Sequence, residues 1–175
     1  MANSDTPRER LAAFLQAKGI KATAEFAHKA GITTRHAANA LTGRPVATIP
    51  YLRICAALKF DPCPELPYRM PEPADFDFAF FAMGFKIARG LKGDKDRTAA
   101  DAIGGISAST ICRIELAHIM GIGVVLRACR YIGLHPFGYL RVPQAPVFGL
   151  KSNVSRGTPS ISKAYGERTL ITEVP

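Results

Sequence analysis

The chain has 175 residues, of which 47% are hydrophobic, and its 23 Lys and Arg against 14 Asp and Glu give a formal net charge of +9. This length fits one ordinary domain or two small ones, and the apolar content supports a packed core and excludes wholesale disorder. No apolar run reaches the ~18 residues of a membrane helix, and the first ten residues are too polar for a signal peptide. We expect a cytoplasmic, nucleoid-associated protein with no membrane contact, because a basic balance favours a phosphate-rich partner.

The polar residues form no recognisable catalytic or metal-binding pattern. The histidines complete no zinc spacing, and there is no nucleophile–base pair, carboxylate dyad or phosphate-cradling glycine loop. We therefore expect a protein that is not an enzyme and uses no cofactor or metal. The cysteines lack C-x-x-C spacing and suit buried, reduced thiols; they are Cys55, Cys63, Cys112 and Cys129.

Residues 1–60 carry the start and stop signals of four short helices. Pro7 suits the first turn of one helix, and Thr23 can cap the next. The run Gly31-Ile32-Thr33 combines a glycine stop, an apolar plug and a hydroxyl cap, and Gly43 ends the helix that follows. The predicted helices cover residues 8–18, 24–30 and 34–42, with a fourth that starts at Thr48 and Pro50.

Residues 61–77 differ from the chain on either side. They contain five prolines and carry a net charge of −4, and prolines at this density favour an extended, fairly stiff connection. We interpret this segment as a Pro-rich acidic linker between two domains, 1–60 and 78–140. Residues 141–175 form a basic, irregular C-terminal tail, in which 147–150 and 169–174 either pair as strands, dock on a partner or stay unpacked.

The second half begins with an aromatic segment, residues 76–91. Its first alternating residues would fit a strand, but Met83, Ala88 and Leu91 continue an apolar helical face, so a helix is favoured. Gly90 and Gly93 are expected to break it. Further helices are predicted at 98–103, 108–116 and 122–132, with a last turn at 137–140. The core of both halves is expected to contain Leu11, Phe14, Phe26, Leu52, Leu58, Ile106, Ile111, Ile114, Leu126 and Ile132.

The two halves resemble each other at a fixed offset of 74 residues. Residues 30–66 align without a gap on 104–140, with seven identities in 37 pairs, against roughly two or three expected from average composition. The identities fall on turn, cap and core positions, such as Gly31 with Gly105 and Arg53 with Arg127. The chain is therefore predicted to contain two copies of one unit of four to five helices.

Both copies resemble the lambda-repressor/Cro (XRE-type) helix-turn-helix family. In the second copy the resemblance rests on Gly105-Ile106-Ser107, Ile111, Cys112 and the run Arg113-Ile114-Glu115, with Ala117 where the family usually has glycine. In the first copy it rests on Ala27, Gly31-Ile32-Thr33, Ala37, Ala38 and Gly43, with Leu41 in place of the glutamate. The resemblance implies an all-α fold of two small lambda-repressor-like domains in tandem.

The resemblance also implies that recognition helices near 34–42 and 108–116 enter the major groove of double-stranded DNA. Arg35 could then pair with guanine and Asn39 with adenine, whereas solvated surface positions are the alternative for each charge. The candidate base contacts are Thr34, Arg35, Ala38, Asn39, Ala108, Ser109, Cys112 and Arg113. The candidate phosphate contacts are Thr23, Arg44, Lys95 and Arg97.

These features predict a sequence-specific transcriptional regulator of bacterial or phage type. Two arrangements stay open: both halves contact adjacent half-sites, or one half contacts DNA while the Phe-rich helix of the other mediates homodimerisation or partner binding. The alternative function is a protein-binding module, such as an antitoxin, whose tail from Arg141 binds a partner protein.

Overall fold

Local capping signals decide where the helices begin. Thr6 and Glu9 form a reciprocal capping box at the first helix. The hydroxyls of Thr33 and Ser107 each accept a hydrogen bond from a backbone N–H three residues on, both at 3.3 Å. Over residues 6–141, which are those that the structure describes, the computed structural model contains these helices: α1 (Pro7–Ala17), α2 (Ala24–Lys29), α3 (Thr34–Leu41), α4 (Thr48–Ala57), α5 (Phe78–Lys92), α6 (Asp96–Ile103), α7 (Ala108–Glu115), α8 (Ile122–Ile132) and a 3₁₀ turn, η1 (Pro136–Tyr139).

The described chain is thus all-α, as predicted, with a single isolated bridge between Phe76 and Leu140. Three predicted helix boundaries are wrong, and Cys112, which was predicted to be a buried thiol, is exposed on α7. Gly90 does not break α5, which continues to Lys92, because Arg89 and Lys92 anchor its last turn to Glu115 and to the backbone of Tyr131. The aromatic helix starts at Phe78, since the bridge holds Phe76 extended, and α6 starts at Asp96 instead of residue 98. The segments 147–150 and 169–174 lie outside the described residues.

The 74-residue repeat is present in the backbone conformation. Helices α3 and α7 coincide at this offset, and four turn positions with a left-handed backbone recur in each half. Because only glycine adopts this conformation without strain, its recurrence fixes equivalent turns in both halves. The paired positions are Gly19 with Gly93, Gly31 with Gly105, Gly43 with Ala117, and Lys59 with Gly133.

An arginine side chain forms a hydrogen bond to the turn that precedes each of α3 and α7. The Nη1 atom of Arg53 donates to the carbonyl oxygen of Gly31. At the equivalent place, the Nη2 atom of Arg127 donates to the carbonyl oxygen of Gly105 at 3.4 Å. Since these carbonyls belong to a left-handed turn and have no helical partner, the arginines replace the hydrogen bonds that the turn lacks.

The two halves meet where α4 packs against α8. The hydroxyl of Thr48 donates to the carbonyl oxygen of Met120, and the Nε2 atom of His135 lies 2.9 Å from Oδ1 of Asp61. The Nδ1 atom of His135 accepts from the N–H of Phe137, so Nε2 carries the proton that is donated to Asp61. Asp61 and His135 are equivalent under the 74-residue offset, and a residue that meets its own equivalent is typical of a two-fold interface.

Buried side chains from both halves join in one apolar cluster. Of the ten residues predicted for the core, Leu11, Leu52, Ile111, Ile114 and Leu126 are buried. The other five, Phe14, Phe26, Leu58, Ile106 and Ile132, are half-buried.

The segment 61–77 lies against both halves. Asp75 forms an ion pair with Arg53 of the first half at 2.8 Å, and its carbonyl oxygen accepts from the N–H of Arg141. The ring of Tyr68 stacks on His135 with centroids 5.2 Å apart and an interplanar angle of 7°. The domain boundaries 1–60, 61–77, 78–140 and 141–175 stay a prediction.

The unequal pair Gly43 and Ala117 gives a stability prediction. Ala117 has a φ of +56° and Gly43 has a φ of +68°, a conformation that costs a non-glycine residue about 1–2 kcal/mol. Ala117→Gly should therefore raise the free energy of unfolding by about 0.5–1 kcal/mol after the added entropy of the unfolded chain is subtracted. Gly43→Ala should lower it by about 1 kcal/mol. Urea unfolding monitored by circular dichroism measures both; equal signs for the two variants would contradict the prediction.

Asp77, the N-cap of α5, gives a pH prediction. Its Oδ1 atom accepts from the N–H groups of Phe80 and Ala79, both at 3.0 Å, and these bonds together with Arg141 lower the pKa of Asp77. Asp77→Ala should cost about 1 kcal/mol at neutral pH. The carboxylate contributes above its unfolded pKa, and this contribution disappears as the pH falls through the lowered folded pKa. The stability difference between wild type and Asp77→Ala should thus shrink as the pH falls below about 4, the ordinary pKa of an aspartate, whereas the difference between Asp77→Asn, which caps without a charge, and Asp77→Ala should show no such trend.

Candidate nucleic-acid interface

Small buried residues bring α2 and α3 close together. Ala27 on α2, Ala30 at its C-cap, and Ala37 and Ala40 on α3 are all buried, and α2 packs against α3. Short side chains let helix axes approach closely, and Ile32 seals the turn between them from its half-buried position. Close packing against α2 therefore holds α3 in a fixed position, and a binding site on its outer face would need such rigidity to match the surface of a partner.

The outer face of α3 presents Thr34, Arg35 and Ala38, which are all exposed. Among the described residues, no carboxylate pairs with Arg35 and no hydrogen bond engages its guanidinium group. Arg35 lies in the first turn of α3, where backbone N–H groups favour negative charge nearby. The outer face of α3 therefore presents the planar guanidinium group of Arg35 as a hydrogen-bond donor at the N-terminal end of the helix.

Asn39 is held differently from its neighbours. Its side chain is half-buried, and its Nδ2 atom lies 3.5 Å from the carbonyl oxygen of Pro45, the outer limit of a hydrogen bond. Thr42 bonds back to the carbonyl of Ala38 at 3.0 Å. The structure thus keeps the predicted site residues Thr34, Arg35 and Ala38 together on one surface and turns Asn39 partly toward the following loop.

The equivalent face of α7 is engaged by contacts within the protein. The Oγ atoms of Ser109 and Ser107 lie 2.8 Å apart, and the Sγ atom of Cys112 donates to Oδ2 of Asp96 at 3.2 Å. Ala108 is half-buried and only Arg113 is a long, exposed side chain. On this face, the carboxylate of Asp96 therefore lies beside Cys112, one of the residues predicted to contact bases.

Asp96 belongs to an ionic cluster that the sequence analysis missed. Arg89 on α5 lies 3.2 Å from Asp96 and 2.7 Å from Glu115, and its hydrogen bond to Glu115 raises the pKa of Arg89. The cluster ties α5, α6 and α7 together. The signal in the sequence was Glu115, an acidic residue inside a candidate recognition helix, because a partly buried carboxylate needs a cationic partner.

The two faces differ most in charge. Residues 21–44 contain four Lys or Arg against one carboxylate, whereas the equivalent residues 95–118 contain three of each. Lys21 and Lys29, which were not among the predicted site residues, are exposed together with Thr23 and Arg44 on the first half. Lys95 and Arg97 are also exposed, but Asp96 and Asp101 share their helix. Only the first face has the net positive charge that a phosphate backbone attracts.

The Cys112–Asp96 contact predicts a reactivity change. The hydrogen bond to the Asp96 carboxylate raises the pKa of the Cys112 thiol, and only the thiolate is nucleophilic. Asp96→Asn should therefore speed alkylation of the protein by iodoacetamide near neutral pH, a reaction confined to Cys112 because the other three cysteines are buried. The matched control Asp101→Asn removes an exposed carboxylate of the same helix and should leave the rate unchanged. Equal rates for wild type and Asp96→Asn would refute the contact.

In the described part of the chain, no three His, Cys, Asp or Glu side chains are grouped as ligands for a metal ion. No helix between residues 6 and 141 is both long and apolar enough to cross a membrane. No protein-family model, curated protein or solved structure matches this chain.

Proposed function

We propose that the protein is a sequence-specific DNA-binding transcriptional regulator in which the first half contacts DNA through α3. The observation that carries this proposal is Arg35, which is exposed at the start of α3 and has no partner among the described residues; it belongs to residues 21–44, which contain four cationic side chains and one carboxylate. Helices presented in this way fit the major groove, which is wide enough to admit them. The net charge of +9 supports a polyanionic partner.

Each residue of the first face has a role in this proposal. Arg35 donates two hydrogen bonds to O6 and N7 of a guanine, and Ala38 offers a methyl group for contact with thymine. Thr34 lies beside Arg35, where it can bond to a base edge or a phosphate. Thr23 and Arg44 contact the phosphates on either side, and Lys21 and Lys29 add attraction that depends on salt concentration.

The second half contributes less to base contact in this proposal. Its face is electrically neutral, and Ser109 and Cys112 already have hydrogen-bond partners within the protein. Lys95, Arg97 and Arg113 can still approach phosphates. This favours the arrangement in which one half contacts DNA and the other serves a different purpose. The antitoxin alternative depends on the tail, which lies outside the described residues.

Substitution of the two exposed arginines tests the assignment. After a preferred site is selected from random DNA, Arg35→Ala should weaken binding to that site by about 5- to 150-fold, the equivalent of 1–3 kcal/mol for one bidentate base contact. Binding to unrelated DNA should change little, because only one charge is lost. Arg113→Ala, which removes an exposed arginine from α7, is the matched control and should have a small effect.

Fluorescence anisotropy at several salt concentrations measures both variants. The proposal predicts affinity that falls steeply with salt for wild type and both variants. If no sequence is enriched by the selection, or if Arg113→Ala is the more damaging substitution, the assignment of α3 is wrong.

A further inference from the structure

A cavity with a volume of about 320 Å³ opens where the two halves meet. The first half contributes the beginning of α1 and the loop after α3, and the second half contributes the beginning of α8. Two charged residues line this cavity, Arg8 and Arg127, and none of the carboxylates in residues 6–141 does. A concave surface that carries charge of one sign attracts ions of the opposite sign.

The repeat shows that an arginine in the position of Arg127 takes an anionic partner. Arg53 is its equivalent, and the Nε atom of each arginine is buried without a hydrogen-bond partner. The Nη2 atom of Arg53 lies 2.8 Å from a carboxylate oxygen of Asp75. The Nη2 atom of Arg127 instead makes a long bond of 3.4 Å to the carbonyl oxygen of Gly105, and no described carboxylate pairs with it. Arg127 therefore lacks the counter-ion that its equivalent has, although both guanidinium groups are partly buried.

Arg8 is the second charged residue at the cavity. It is half-buried, and its side chain forms no ion pair or hydrogen bond with another residue of the described chain. Glu9, its neighbour in sequence, is exposed and does not line the cavity. The Glu9 carboxylate accepts the N–H of Thr6 at 2.7 Å, a bond that lowers the pKa of Glu9. The cavity thus carries two cations whose charge no lining residue balances.

The first turn of α8 adds backbone donors to the same cavity. Gly121, its N-cap, has no side chain that could accept a hydrogen bond, and the N–H groups of Ile122 and Gly123 have no acceptor among the described residues. Such N–H groups at the start of a helix attract anions. Neither glycine is required by the backbone or by packing, since Gly121 has a φ of −67° and a Cβ atom at either position would meet nothing within 4 Å. Their missing side chains leave the donors accessible from the cavity.

We propose that this cavity binds the phosphate group of a small phosphorylated molecule. Arg8 and Arg127 donate hydrogen bonds to two of the phosphate oxygens, and the N–H groups of Ile122 and Gly123 donate to the third. A phosphate dianion fits better than a single carboxylate, because two guanidinium groups and the start of a helix together supply more than one positive charge. The phosphate takes beside Arg127 the part that the Asp75 carboxylate has beside Arg53.

The other walls of the cavity limit the rest of the ligand. Pro7, Pro45 and Val46 are apolar, so the part of the ligand beyond the phosphate gains from being apolar too. A volume of about 320 Å³ lies at the lower end of the range for ligand pockets, so a single ring or a short chain attached to the phosphate is the size that fits. None of the residues that carry this proposal is among those proposed to contact DNA, so the two proposals are independent.

Titration of the full ¹⁵N-labelled chain with phenyl phosphate, followed by two-dimensional NMR, tests the site. The amide signals of Ile122 and Gly123 should shift and reach saturation, whereas sodium chloride at the same ionic strength should not produce these shifts. Gly123→Asp should weaken binding of phenyl phosphate by about tenfold or more, because a carboxylate then shares the cavity with the phosphate. Gly123→Asn, which adds a side chain of the same size without a charge, is the matched control and should retain binding. Both side chains enter open space, so circular dichroism should show unchanged helicity.

Three outcomes would overturn the proposal. They are a wild type without saturable shifts, equal affinities of Gly123→Asp and Gly123→Asn, and shifts of Ile122 and Gly123 that a DNA duplex causes but phenyl phosphate does not. The last result would assign the bound phosphate to the DNA backbone instead of a small molecule. Arg35→Ala should bind phenyl phosphate as wild type does, so failure of this site is distinguishable from failure of the proposed DNA contacts.

Discussion

The packing of α4 against α8 is the contact on which the rest of the described structure depends. A unit of about 60 residues buries little apolar surface by itself, and here Leu52 on α4 and Leu126 on α8 belong to a single cluster fed by both halves. The hydrogen bond between Asp61 and His135 lies on this contact and joins equivalent positions of the repeat. The segment 61–77 reinforces it, because Asp75 pairs with Arg53 while its backbone holds Arg141.

This shared interior leaves the outer surfaces free to differ. The turns that orient α3 and α7 are equivalent down to the arginine that fastens each of them. Their exposed faces are not equivalent, since one is strongly cationic and the other is neutral. Large exposed hydrophobic side chains show the opposite bias, and none of those in the described chain lies in residues 6–60. Packing restrains buried positions far more than exposed ones, so the exposed surfaces of the two halves can differ while their turns stay equivalent.

Much of the fold could be predicted because its signals are local. Thr33 was predicted as a cap and is one, as is Ser107 at the equivalent position, since an N-cap involves only residues three apart in sequence. The repeat was visible because its identities fall on turns and core positions. Gly90 was wrongly predicted to end the aromatic helix, because contacts of α5 with α7 and α8 outweigh the low helix propensity of one glycine. The Arg89 cluster was missed because its members are separated by up to 26 residues.

The sequence by itself determined the eight helices, the turns between them and the residues that face outward on α3 and α7. Only the tertiary structure decided which of those residues are free to bind. It directs Asn39 toward Pro45, pairs Cys112 with Asp96 and leaves Arg35 without a partner among the described residues. It also leaves Phe80, Met83, Ile87 and Leu91 of α5 exposed among the described residues, although the same apolar pattern would have fitted a buried helix. The reason is that helices and caps depend on neighbours within one or two turns, whereas the pairing and covering of side chains depend on segments brought together only when the chain folds.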